Sequence, residues 1–155
     1  MAEQSFTITL SNNKTEKAGI DYLTANTTGY FYVDNTTRKR ILELLGMRAK
    51  YVRAFDMVFI PRLEGQPLTE QFIETHIDEI ILIELKVTRK YLPENPKGFF
   101  FGATQNEFDF GEMLKEKFRF CFVSLHERGS SHALLSIAEL EAIIRTRRIQ
   151  YQINL

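Results

Sequence analysis

The amino-acid sequence predicts an α/β (α+β) fold in which one mixed central sheet is flanked by helices. The stretch EIILIELKVTRK, residues 79–90, begins apolar on both faces, which is typical of a strand covered on both sides. The run FRFCFVSLHE, residues 118–127, predicts a second buried strand. Helical patterns precede the first strand and separate the two. A chain of 155 residues with this order of elements is most simply one domain, spanning 1–155.

The first half of the chain predicts short strands and one clear helix. Residues 34–46, DNTTRKRILELLG, begin with helix-capping residues and end at a glycine, which predicts a helix. The other elements predicted here are a strand at 5–10 (SFTITL), a strand at 29–33 (GYFYV), a bent strand or tight hairpin at 50–62 (KYVRAFDMVFIPR) and a short helix from Thr69.

The second half contains two pairs of residues with the spacing of a capping box, in which each side chain satisfies a free amide of a helix's first turn. The pairs are Thr104 with Glu107 and Ser136 with Glu139. They predict helices at 104–117 and 136–148. A short strand is predicted before the first of these helices, at 98–103 (GFFFGA), and another after the second, at 149–155 (IQYQINL).

Composition narrows the function classes. The hydrophobic content is 44%, the formal net charge is zero, and the single cysteine, Cys121, lies in an apolar run that predicts a buried, inert thiol. The start of the chain lacks a signal-sequence pattern and no apolar run approaches membrane-spanning length, so we expect a cytoplasmic protein without a membrane partner. Basic residues concentrate between residues 37 and 62, which permits a basic face for phosphates, although a solvated mixture of surface charges explains them equally well.

The central strand contains charges that a buried strand should avoid. Side chains alternate faces along a strand, so Glu84 and Lys86 share a face with Leu82. Burying a carboxylate and an ammonium costs roughly several kcal/mol for each ion, unless neighbouring groups compensate the charges.

A second acid offers that compensation. Asp56 begins its own apolar strand, and antiparallel pairing with Ile60 opposite Ile80 would place Asp56 opposite Glu84. Two carboxylates held together suit a hard cation such as Mg²⁺, which keeps several waters and takes few carboxylates. The charge of the cation would offset the repulsion between the two acids.

An acid opening one strand, followed by Glu-x-Lys near the end of the next, resembles the PD-(D/E)XK nuclease superfamily, which is restriction-endonuclease-like. The matching residues are Asp56, Glu84 and Lys86. The order of elements from about 35 to 125 is similar to that superfamily's core and covers about two-thirds of the chain. The pieces FFFGATQNEFDF and KFRFCFVSL also resemble the nuclease-like domain first described in the plant protein NO VEIN.

The resemblance implies a DNA endonuclease that uses Mg²⁺ or Mn²⁺ to hydrolyse phosphodiester bonds. Asp56, Glu84 and the backbone carbonyl of Leu85 would bind the metal, and Lys86 would orient or help deprotonate the attacking water. Glu43 is the candidate for the helix glutamate that often contributes in the superfamily, against a solvent-facing role. Gln105, at a helix start, faces either the site or water. A chain this short that cuts both DNA strands would need to form a homodimer.

Three alternatives stay open. The acids and Lys86 could form a structural ion pair, with Glu84 bound by Lys86 or by Arg53. The chain could have a nuclease-like fold without catalysis and serve as a nucleic-acid-binding or protein-binding module. It could also be an unrelated α+β interaction protein. Convergence of Asp56 and Glu84 in the structure distinguishes the last of these from the others.

Overall fold

The computed structural model describes residues 2–155, and the side chains from residue 13 onward. Within these residues lie five α-helices and five strands, which confirms the predicted α/β (α+β) class. In chain order the elements are α1 (Ala2–Asn26), β1 (Tyr30–Tyr32), α2 (Asn35–Leu45), β2 (Met57–Phe59), α3 (Glu70–Thr75), β3 (Ile81–Thr88), α4 (Gln105–Leu114), β4 (Phe118–Ser124), β5 (Ser131–Leu135) and α5 (Ile137–Ile143). None of the described helices is long and apolar enough to cross a membrane.

The five strands form one sheet in the order β1-β2-β3-β4-β5. The β3–β4 pair is parallel, with α4 in the crossover between the two strands, and the other pairs are antiparallel. The predicted register between β2 and β3 is confirmed. Met57 lies opposite Ile83 and Phe59 opposite Ile81, so the same register continued by one residue sets Asp56 level with Glu84.

Two apolar layers cover the sheet, as the continuous apolar run of β3 predicts. One face of β3 includes Leu82 and packs with helices α2, α4 and α5 around a cluster of buried phenylalanines. The other face includes Ile83 and Leu85 and packs with Leu23 of α1. Cys121 is buried in this second layer as a free thiol, as predicted, and burial raises its pKa to about 12. Both charged residues of β3 therefore sit within a strand that is covered on each side.

The strand predicted at 5–10 is wrong, because these residues belong to the 25-residue helix α1. The alternation of Phe6, Ile8 and Leu10 with serine and threonines favours a strand locally, but β propensity is weak evidence where a longer segment can form a helix. At its other end α1 is anchored by Leu23, which is completely buried against the sheet. A close approach of Gly19 to Val87 of β3 also fixes the helix on this face, since a β-carbon at position 19 would lie 2.4 Å from the valine side chain.

Three further expectations also differ from the structure, and one strand was not expected. Residues 50–62 form neither a bent strand nor a hairpin: a 3₁₀ turn at Ala49–Arg53 precedes the short strand β2. Residues 98–103 and 149–155 form no strand. Both sides of β3 are already paired, and Phe99 and Phe101 instead pack edge-on against Phe122. Strand β5 was not predicted, because its five residues follow an exposed turn and are only partly apolar.

The two predicted capping boxes have different outcomes. Ser136 begins α5 with a complete box: its hydroxyl accepts from the Glu139 amide, and the Glu139 carboxylate accepts from the Ser136 amide at 3.0 Å. Thr104 also begins a helix, α4, and its hydroxyl accepts from the Glu107 amide at 3.2 Å. The Glu107 carboxylate, however, binds the threonine hydroxyl and a lysine instead of the Thr104 amide, so this box is incomplete.

Replacing Ser136 by alanine should lower the free energy of unfolding by about 0.5–2 kcal/mol, because the Glu139 amide in the first turn of α5 loses the hydroxyl that accepts its hydrogen bond. Urea unfolding followed by circular dichroism measures the change. Ser136→Asp is the matched control, since aspartate also caps helices and should recover most of the loss. An alanine variant as stable as the parent protein would contradict the assignment.

Candidate functional site

The register of β2 and β3 brings Asp56 and Glu84 together. The Asp56 amide donates to the Ile83 carbonyl at 2.8 Å, and Asp56 Oδ2 accepts from the Leu85 amide at 3.0 Å. These two bonds hold the aspartate against β3 where the backbone ladder ends. Its carboxyl group lies within hydrogen-bonding range of the Glu84 carboxyl group. The predicted convergence of the two acids is therefore present.

Glu84 is buried with one carboxylate oxygen lacking a donor. The residue is 6% exposed. Its Oε1 atom lies 3.4 Å from the Lys86 ammonium, whereas Oε2 is buried without a hydrogen-bond partner among the described residues. Burial, and then the charge of Asp56, raise the pKa of Glu84 well above its ordinary value. An unpartnered buried oxygen beside a second carboxyl group favours a bound proton or a bound cation.

Lys86 connects Glu84 to helix α4. Its ammonium donates to Glu107 Oε1 at 2.7 Å, and its side chain is 13% exposed. Burial lowers the pKa of Lys86, but the charges of Glu84 and Glu107 and their hydrogen bonds outweigh it and leave the pKa raised. Lys86 is thus a fixed ammonium in this state, suited to donating hydrogen bonds and stabilising negative charge.

Glu107 belongs to the site, although its position in the sequence predicted only a capping role. The residue is 6% exposed, and its Oε2 atom accepts from the Thr104 hydroxyl at 3.0 Å. Its spacing from Thr104 explained it as a capping residue, and that spacing gave no reason to connect it with Lys86, 21 positions earlier. The parallel β3–β4 crossover creates the connection, because it returns α4 over the face of β3 that includes Lys86.

Glu16 is the second residue that sequence reasoning missed. It extends from α1 to within hydrogen-bonding range of the Asp56 carboxyl group. Burial raises the pKa of Glu16, the charge of Asp56 raises it further, and Arg38 opposes both. Burial likewise raises the pKa of Asp56, against the hydrogen bond from the Leu85 amide. Because residues 5–10 predict a strand, a helix that positions Glu16 was not expected from the sequence.

Arg38, from α2, provides the second positive charge near the acids. Its Nη1 atom donates to the Phe55 carbonyl at 3.3 Å, and its Nε atom is buried without an acceptor among the described residues. The charges close to the site are therefore four carboxyl groups and two cations. Burial is the main reason why the pKa values of Glu16, Asp56 and Glu84 are raised, and the charge of Asp56 raises those of Glu16 and Glu84 further.

A metal ion would fit these residues in an open site, one that protein side chains enclose only in part. Among the described residues, no group of three or more His, Cys, Asp or Glu side chains has the arrangement of a preformed metal cage. Mg²⁺ needs no cage and is bound in proteins by one or two carboxylates with several waters. The orphaned Glu84 Oε2 atom beside Asp56 offers this kind of donor pair. A strand residue directs its amide and carbonyl to the same side, so the Leu85 carbonyl points toward the edge that Asp56 occupies.

The two accessory candidates, Glu43 and Gln105, contact residues outside this cluster. Glu43 is exposed on α2 and forms a 3.0 Å ion pair with Arg40. Gln105 is exposed on the first turn of α4 and donates to Asp109 at 2.8 Å. Arg53, the other proposed partner of Glu84, is exposed on the 3₁₀ turn. The observed partner of Glu84 is Lys86, so an ion pair does exist, although Glu107 is the closer partner of the lysine.

Comparison with known proteins adds no family to these observations: protein-family models, curated proteins and solved structures were searched without a match to this chain.

Glu84→Gln should stabilise the metal-free protein near neutral pH. The pKa of Glu84 is raised above its unfolded value, so its contribution to stability is full below the unfolded pKa and is lost as pH rises through the folded pKa. Glutamine imitates the protonated acid at every pH. At about pH 8 with a chelator, we expect a gain of about 1–3 kcal/mol in the free energy of unfolding, shrinking toward acid pH.

Urea unfolding of both proteins across this pH range measures the effect. Glu43→Gln is the control, because Glu43 is exposed and should show no comparable gain. A Glu84→Gln protein that is less stable than the parent at pH 8 would contradict the proposed origin of the raised pKa.

Proposed function

We propose that this protein is a metal-dependent DNA endonuclease that hydrolyses phosphodiester bonds with Mg²⁺ or Mn²⁺. The observation that supports this function best is the buried Glu84 Oε2 atom, which has no donor within the described part of the chain and lies beside Asp56 near the end of a covered strand. Two acids and a lysine in this arrangement match the pattern that resembles the PD-(D/E)XK superfamily. Mg²⁺ in such a site supplies an acidified water and neutralises phosphate charge.

Each residue of the site has a distinct part in this proposal. Asp56, Glu84 and the Leu85 carbonyl would hold the metal. Lys86 donates hydrogen bonds to the attacking water and stabilises the negative charge that develops on the phosphate. Glu107 positions the lysine, since it accepts the shorter of the two ammonium contacts, 2.7 Å against 3.4 Å. The raised pKa of Lys86 favours orientation of the water over its deprotonation by the lysine.

Basic side chains near the site support a phosphate-containing substrate. Arg89 and Lys90 follow directly after β3 and are exposed. Arg128, just after β4, is also exposed and stacks on the Tyr91 ring at 4.6 Å. Because β3 and β4 are parallel, these residues lie at the same end of the two strands as Lys86. Cations at this end of the strands can bind the backbone of DNA regardless of its sequence.

A non-catalytic binding module is the second candidate, and one observation favours it. The Lys86 ammonium is already paired with Glu107 at 2.7 Å, and the acids with raised pKa values can share protons without a metal. Such a closed network would stabilise the fold, and the basic residues that follow β3 and β4 would still bind nucleic acid. Loss of metal binding with retained DNA binding distinguishes this module from the enzyme.

The proposed metal site predicts measurable Mg²⁺ binding that depends on Asp56. Calorimetric titration of the wild-type protein should detect one divalent ion, and Mg²⁺ should raise the thermal midpoint, because a ligand that binds only the folded state stabilises it. Asp56→Asn should weaken this binding at least about tenfold, or about 1.4 kcal/mol. Glu112→Gln, a control at an exposed position of α4, should leave it unchanged. Wild-type protein that binds neither Mg²⁺ nor Mn²⁺ would refute the metal site.

Lys86→Ala should abolish cleavage while metal binding persists. Removing the ammonium takes a positive charge away from the acids, so the affinity for a divalent cation should stay equal or increase. Nicking of plasmid DNA, and cleavage of single-stranded DNA and RNA, measure activity alongside calorimetric titration. Lys86→Gln is a second variant that keeps a donor for Glu107, and Lys115→Ala, at an exposed position after α4, is the charge-matched control outside the site.

The combinations of results separate the candidates. Cleavage by the wild-type protein and Lys115→Ala, with none by either Lys86 variant, supports the nuclease. Cleavage that survives in both Lys86 variants contradicts the role of the lysine. DNA binding without metal binding and without cleavage favours the binding module.

A further inference from the structure

The segment that follows α5 has the side-chain pattern of a strand but no partner strand among the described residues. Residues 145–155 form no regular secondary structure. Apolar side chains alternate with Gln150, Gln152 and Asn154, and each of the apolar ones is at least 76% exposed; they are Ile149, Tyr151, Ile153 and Leu155. Strict alternation over seven residues is typical of a strand that is covered on one face.

Strand β1 offers the matching free edge. It lies at one end of the sheet and pairs only with β2 in the part of the chain that the structure describes. The Gly29 carbonyl accepts from Ile60 at 2.7 Å and the Val33 amide donates toward Asp56, so odd-numbered residues use their backbone groups toward β2. The amides and carbonyls of Tyr30 and Tyr32 therefore point outward, where another strand can pair with them.

A groove beside this edge has room for apolar side chains. Its volume is about 410 Å³ and its apolar lining comes from β1, the following residue and the region of α3: Phe31, Val33, Leu68 and Ile73. Two acids, Asp34 and Glu70, also line it. An open strand edge beside an apolar groove is the arrangement by which folded domains bind extended segments through strand addition.

We propose that residues 149–155 of one copy add to β1 of a second copy as a sixth strand, with their apolar side chains in this groove. Exchange in both directions gives a twofold homodimer. Charge favours this edge: Arg145 and Arg148 directly precede the segment, and acids line the groove, whereas Arg147 pairs with Glu141 of its own chain at 3.6 Å.

The segment does not occupy this groove within its own chain. None of residues 149–155 lines the groove, and their apolar side chains are at least 76% exposed. The occupant that we propose for the groove is therefore a second copy.

Analytical ultracentrifugation of the full chain from about 5 to 200 µM tests the dimer. Wild-type protein should sediment as a dimer at the upper concentrations. Tyr151→Ser and Ile153→Ser should each raise the dimer dissociation constant at least about tenfold, whereas Gln150→Ser and Gln152→Ser, on the opposite face, should change it less than about twofold. A monomer at 200 µM, or equal effects on both faces, overturns the proposal.

Charge reversal tests the location. Glu70→Arg in the groove and Arg148→Glu before the segment should each weaken the dimer at least about threefold, and the double variant should restore it. Leu68→Ser is an independent groove variant, and thermal unfolding verifies that each variant is folded. A dimer that tolerates both Glu70→Arg and Leu68→Ser places the contact elsewhere and refutes the assignment to β1.

Discussion

The burial of two carboxyl groups side by side at the β2–β3 boundary is the constraint on which the rest of the structure depends. A slip of one residue between these strands would move Glu84 to the face that packs on α1 and would leave Asp56 without its neighbour. The apolar residues on both faces of β3 oppose such a slip, because each face already fits its own layer. Hydrophobic packing thus holds together two groups that would separate in water.

The surrounding elements serve this pair from different directions. Helix α1 contributes Glu16, α2 contributes Arg38, and the N-terminal turn of α4 contributes Glu107 through its contact with Lys86. Because each belongs to a separate element, the cluster forms only when both layers have packed on the sheet. The charge network is therefore a product of tertiary structure, and no single segment contains it.

The sequence predicted the centre of the site better than its periphery. The β2–β3 register followed from residues alone, because apolar runs fix the faces of both strands and the acids mark their ends. Glu16 was missed because alternating polar and apolar residues at 5–10 predict a strand in a segment that is helical. Glu107 was recognised as a helix-start residue, but its bond to Lys86 depends on a crossover that local patterns do not encode. Strand β5 was too short and too polar to stand out.

The position of Glu107 on α4 has a consequence for the mobility of Lys86. Glu107 is the third residue of the helix, where the aligned peptide dipoles place partial positive charge and favour a carboxylate. The Thr104 hydroxyl also donates to this carboxylate. If the ammonium swings toward an incoming anion, the helix terminus takes over part of the compensation of Glu107. Lys86 can therefore exchange its bond to Glu107 for a contact with an anion. When the anion leaves, the ammonium can bind the glutamate again.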